Sequence, residues 1–107
     1  MNMYKEGYIL GSTLRVKVAW SYPADSTKTM DNVDFVCKFI GRNTVTVTKE
    51  QMYHDTEEES WYAYIDTASI GVGAFRLDFI ASIPDAHAPG GVKVDISRYL
   101  FPFPINA

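Results

Sequence analysis

Three groups of residues in this sequence have types and spacings that could do chemistry. The first is Gly71-Val72-Gly73, which opens the stretch "GVGAFRLDF". Closely spaced glycines let backbone N–H groups cradle a phosphate where a strand turns into a helix. The second is His54-Asp55 followed by Glu57-Glu58-Glu59, imidazole and carboxylate groups of the kind that bind a divalent cation. The third is Cys37 with His87, the residue types of a thiolate–imidazole nucleophile.

Spacing argues against each. A dinucleotide fingerprint needs G-x-G-x-x-G ahead of a helix; here Arg76 holds the third glycine position and the following residues alternate as a strand. A Walker loop is excluded because Gly-Lys-Ser/Thr occurs nowhere. The glycines therefore mark special backbone geometry at a corner. Calcium takes about six to eight oxygens from a shaped loop. The run Asp55-Thr56-Glu57-Glu58-Glu59 has neither the glycine nor the alternating ligands of such a loop. It reads as a solvated face whose charge discourages edge pairing beside Trp61-Tyr62-Ala63-Tyr64. Cys37 falls between Phe35 and Phe39 on the apolar side of its run, where a free thiol acts as a small hydrophobe. Acids are plentiful, but no local pattern selects the facing pair that glycoside hydrolysis needs. No catalytic, cofactor-binding or metal-binding residue is assigned, and an enzyme is not expected.

The chain has 107 residues, enough for one domain with a single two-layer core. Its ten basic residues are scattered among thirteen acidic ones for a net charge of −3, which disfavours a nucleic-acid partner. A single cysteine rules out an internal disulfide and a cysteine zinc site, and it suits a reducing cytoplasm. Met1 to Glu6 lacks the apolar core of a signal peptide, and uncharged stretches fall short of the roughly 20 residues of a membrane span. Lack of a disulfide does not exclude secretion, but nothing here addresses the chain to a membrane, and no membrane partner is expected.

The elements that must position these residues have a period of two. Residues 13–20 set Leu14, Val16, Val18 and Trp20 against Arg15 and Lys17. Residues 33–40 set Val33, Phe35, Cys37 and Phe39 against a mixed face, and 44–48 alternate around Val45 and Val47. Residues 60–66 place Trp61, Ala63 and Ile65 opposite Tyr62 and Tyr64. Residues 74–82 place Phe75, Leu77, Phe79 and Ala81 opposite Arg76, Asp78 and Ile80; in 92–96, Val92, Val94 and Ile96 alternate with Lys93 and Asp95. Tyr4 to Leu10 is a weaker first strand broken by Gly7, and 48–60 holds the only candidate helical turn. Turn residues separate the runs. The pattern predicts an all-β, immunoglobulin-like sandwich of about seven antiparallel strands, with a small closed barrel as the alternative. Trp20, Phe35, Phe39, Leu77 and Phe79 are predicted in the core, with Arg15, Lys17 and Lys93 outward.

Two features remain. Tyr62 and Tyr64, with Trp61, form an aromatic strand that either stacks on sugars or packs under a loop. The C-terminal stretch "RYLFPFPINA" carries Tyr99, Leu100, Phe101, Phe103 and Ile105, while Pro102 and Pro104 work against a regular ladder or helix. A free tail of this kind would expose a large apolar patch. It either folds back over its own sandwich or docks on another chain, and those five residues are the predicted partner interface. The domain is read as 1–107 with an extended tail from residue 99.

The stretches "GSTLRVKVAW", "VDFVCKFI", "WYAYIDTASIGVGAFRLDFIASIPD" and "GGVKVDISRYLFPFPI" together resemble the small virion proteins of tailed phages and prophages. These include N-terminal domains of baseplate upper proteins and short proteins of crAss-like Bacteroides phages. The corner before the sixth strand resembles the immunoglobulin D-x-G-x-Y pattern at Gly73 and Phe75, without its Asp and its tyrosine hydroxyl, so packing would hold it. The resemblance implies a non-enzymatic structural protein: an auxiliary capsid protein or a head-fibre or tail attachment module. It would assemble in the host cytoplasm in many copies with other virion proteins and without a cofactor. The alternative is a bacterial surface or carbohydrate-binding sandwich module using Trp61, Tyr62 and Tyr64.

Overall fold

The computed structural model describes residues 7–18 and 33–107. In chain order the elements are β1 (Tyr8–Ile9), β2 (Thr13–Val18), β3 (Asp34–Ile40), β4 (Thr44–Thr48), β5 (Tyr53–Asp55), β6 (Ser60–Asp66), α1 (Thr67–Ile70), β7 (Arg76–Pro84), β8 (Val92–Leu100) and β9 (Ile105–Asn106). One sheet has the order β2-β6-β5 and the other β4-β3-β7-β8, with every pairing antiparallel. β1 and β9 form a two-stranded parallel ribbon. The fold is an all-β sandwich.

Register aligns the apolar rows. Leu14, Val16 and Val18 of β2 sit opposite Ile65, Ala63 and Trp61 of β6. Phe35, Cys37 and Phe39 of β3 sit opposite Ala81, Phe79 and Leu77 of β7. A slip of one residue would turn Lys38 and Asp78 into the interior, so burial of one face fixes the pairing. The two inner faces meet where Phe35 stands edge-on to Trp61, ring centroids 5.4 Å apart. Lys49 closes this end: its Nζ donates to the Val33 carbonyl at 2.8 Å and lies over both rings.

Phe35, Phe39 and Leu77 are buried and Arg15, Lys17 and Lys93 are exposed, as the alternation predicts. Trp20 lies outside the described residues. Phe79 is only half-buried. On one side it packs beside Cys37, but on the other its neighbour is the exposed Ser97, which leaves a flank of the ring open. In 48–60 the helical tendency is limited to a 3-10 turn, Lys49–Gln51, and β5 follows directly.

β8 departs most from the alternation. It runs on to Leu100, so the tail proper starts at Phe101. Lys93 sits opposite the core residue Ile83, whereas Val94 and Ile96 sit opposite Ser82 and Ile80 on the outer face. The apolar row of β8 therefore faces outward. The four-stranded sheet has one strand more than the other, and β8 is largely exposed on both of its faces.

Candidate functional site

The glycine corner is occupied by the chain's own tail. Asp66 caps α1, its Oδ1 accepting from Ala68 N at 2.9 Å, and the single helical turn ends at Gly71. Gly71 and Gly73 have φ of 97° and 120°, a region that costs an L side chain steric strain. In this conformation Gly73 exchanges two backbone hydrogen bonds of 2.9 Å with Ile105. Thr67, fully buried, ties the same corner to the start of β2. Its Oγ1 donates toward the Ser12 carbonyl at 2.8 Å and accepts from Gly11 N at 3.0 Å. Phe75 beyond the corner is buried, stacked on Phe101 at 4.2 Å with Tyr8 edge-on. The corner is held by packing.

The acidic loop is folded on itself. Asp55 Oδ1 accepts from Glu57 N and Glu58 N at 3.1 and 3.2 Å. Glu58 accepts from Tyr62 Oη at 3.0 Å and pairs with Lys17 at 3.0 Å. The hydrogen bond from Lys17, then that from Tyr62, holds the Glu58 carboxyl below its usual range. His54 lies flat on Trp61, centroids 4.0 Å apart. Among the described residues, no group of three or more His, Cys, Asp or Glu side chains is placed to hold a metal ion. Cys37 is fully buried, and burial pushes its thiol up to about 12, far from the thiolate a nucleophile needs. His87 is exposed in the β7–β8 loop.

Of the five tail residues, Ile105 is fully buried and Phe101 half-buried within the cluster of Tyr8, Phe39, Phe75 and Tyr99. Tyr99, Leu100 and Phe103 are exposed. The tail thus folds back, and Ile105 is committed to this chain's own core. Two open clefts of about 360 and 380 Å³ flank Phe101. Their charged linings are Arg76 in one and Arg15 with Lys17 in the other, with no converging polar set for a small ligand.

Two outer surfaces expose large side chains. On the outer face of the three-stranded sheet, Tyr53 pairs across strands with Tyr62, Lys17 also sits opposite Tyr62, and Arg15 lies beside Tyr64 and over the Tyr62 ring at 5.0 Å. Tyr53 and Tyr64 are exposed, and Trp61 is buried on the opposite face, outside any sugar platform. Tyr53 was not singled out from the sequence because β5 is too short to show alternation. The second surface is the outer face and edge of the four-stranded sheet. There Val94 is 56% exposed, Ile96 64% and Leu100 69%, while Tyr99, also exposed, lies on the opposite face beside Leu77 and edge-on to Phe101. Val36, Ile80 and Ile96 form a continuous row across three strands. Asp78 sits beside this row and is only 8% exposed. Arg98 grips it with two hydrogen bonds of 2.8 and 3.1 Å, and Arg76 approaches to 3.5 Å. The Arg98 hydrogen bonds hold the Asp78 carboxyl below its usual range. Comparison with family models, curated proteins and solved structures returns no match for this chain.

Proposed function

We propose that this chain is a non-enzymatic structural protein of a tailed-phage virion, an auxiliary capsid protein or a head-fibre or tail attachment module. The observation that carries the reading is the exposed apolar surface of β8, with Val94, Ile96 and Leu100 outward at the edge of the four-stranded sheet. Contiguous apolar surface of this kind marks protein contacts in soluble proteins. A protein held by a repeated lattice needs only modest contacts, because many copies add by multivalency. The resemblance to small virion proteins adds the class of assembly. Its residues have structural work in this fold: Asp66 caps, Thr67 ties the corner, and Gly73 receives the tail. The strand order β2-β6-β5 against β4-β3-β7-β8 also supports the immunoglobulin-like part of the reading. Partners are then other virion proteins, met in the host cytoplasm.

The exposed Tyr53 and Tyr64 favour a second reading, a carbohydrate-binding module whose platform is Tyr53, Tyr62 and Tyr64. Mass spectrometry of purified particles from the phage or induced prophage encoding the chain separates the two. Stoichiometric recovery with the capsid or tail proteins is the expected result. Absence from particles, with glycan binding lost in Tyr53→Ala and Tyr64→Ala, would move the function to the second surface.

A further inference from the structure

We infer that the free edge of β8 is a self-association edge whose partner is β8 of a second copy of this chain, laid antiparallel with Ile96 opposite Ile96. The inference rests on reading the chain as an assembly module and names the partner of that surface. β8 pairs with β7 over all of Val92–Leu100 in unbroken register, and among the described residues no strand pairs with its other side. Nine residues is long against the usual strand of about five or six. Natural edges are normally blunted by charged side chains, proline, a bulge, shortness or a cover, because an open ladder is a template for another strand. β8 contains no proline and no bulge against β7, and its charges are engaged within the chain: Lys93 pairs with Asp95 at 3.7 Å, and Arg98 is held by Asp78 of β7.

The edge's own sequence selects its occupant. With Ile96 on the two-fold axis, Val92 meets Leu100 of the second copy and Val94 meets Arg98 on the outer face. On the other face Lys93 meets Tyr99 and Asp95 meets Ser97. No like charges stand opposite one another, and Lys93 gains an aromatic ring to lie over. The two hydrogen bonds to Asp78 draw the Arg98 guanidinium over β7 and leave its stem beside the seam. Other registers are worse. Centring the pair on Asp95 sets that carboxylate against itself, and centring it on Ser97 leaves Val92 and Lys93 unpaired. A one-residue shift turns the apolar face against the polar one. Only the Ile96-centred register pairs all nine residues. It closes a two-fold dimer with a continuous eight-stranded sheet, across which the Val36–Ile80–Ile96 row runs into its own copy.

The test uses the full chain. Light scattering at about 0.1 mM should show a dimer, since a single strand seam is a modest interface. Ile96→Cys should become largely disulfide-linked under mild oxidation, the native Cys37 being buried. Ile80→Cys should not cross-link, because its counterpart lies three strand spacings, about 14 Å, away. Mixing Asp95→Cys with Ser97→Cys should give the mixed cross-linked dimer, with neither cross-linking alone. Ile96→Lys should weaken dimerisation at least about tenfold by placing like charges opposite, with the melting of the dilute monomer unchanged. A chain still monomeric at about 1 mM, or Ile80→Cys cross-linking as readily as Ile96→Cys, would overturn the edge pairing. A monomer that is nonetheless found in virions refutes this dimer and leaves the assembly reading standing. A dimer absent from virions does the reverse.

Discussion

Phe39 and Phe79 lie on one face of one sheet but differ in their surroundings. Phe39 sits between Val45 and Leu77 with Phe101 over it, fully buried. Phe79 has Ser97 on one side and is half-buried. Phe39→Ala should cost about 3–5 kcal/mol, the range for emptying a closed aromatic site. Phe79→Ala should cost clearly less, because solvent already reaches the ring. Urea melts of the two variants check this, and equal losses would misplace one face. Asp78 makes a second residue-scale prediction. Its folded pKa is depressed, chiefly by the Arg98 hydrogen bonds. The ion pair therefore stabilises the fold above the ordinary carboxylate range, and that contribution is lost as pH falls through the range toward the lowered value. Glu58, held down by its hydrogen bonds from Lys17 and Tyr62, has the same sign, whereas Lys17, raised by the hydrogen bond to Glu58, loses its contribution only as pH rises through its raised value. Asp78→Asn should flatten the acid side of a plot of urea midpoint against pH, and an unchanged slope would deny the pair a role in stability.

At the scale of elements, the tail and the glycine corner are one unit. β9 pairs with β1, Ile105 bridges Gly73, and Phe101 is sandwiched in the aromatic cluster. Truncation after Leu100 removes a fully buried Ile and a half-buried Phe, each worth about 1.5–3 kcal/mol if wholly buried. The truncated protein should melt well below the full chain and bind a hydrophobic dye. An unchanged melting curve would mean that these residues are not anchored as described. This outcome separates the tail from β8: docking by Leu100 and Phe103 remains available, but docking by Ile105 does not.

For the whole molecule, the sandwich separates two outer faces with different chemistry. One carries tyrosines with Arg15 and Lys17, the other the apolar row and the β8 edge. If assembly uses the second, Ile96→Lys should sharply lower the amount of protein recovered in virions while Tyr64→Ala leaves it unchanged. Quantitative mass spectrometry of particles grown with each variant measures both. The opposite pattern would assign assembly to the tyrosine face.

The period of two by itself determined β2, β3, β4, β6, β7 and the first half of β8 and, for β2, β3, β6 and β7, which face is inside. In those strands one face is apolar and the other mixed or charged, so burial follows the sequence except where Phe79 is left half-open and Asp78 is covered by its arginine partners. The corner role of Gly71 and Gly73 was equally legible, because a strand follows them. Tertiary structure decided the rest. β5 and β9 are too short for alternation to show, and they exist because β6 and β1 offer them a ladder. Alternation also cannot say which face of β8 is inward. That depends on whether a second sheet lies over it, and the register with β7 leaves Val94 and Ile96 outside. The tail's two fates were undecided for the same reason. Composition says that Phe101 and Ile105 need cover, but only the position of the corner and of β1 supplies it from within the chain.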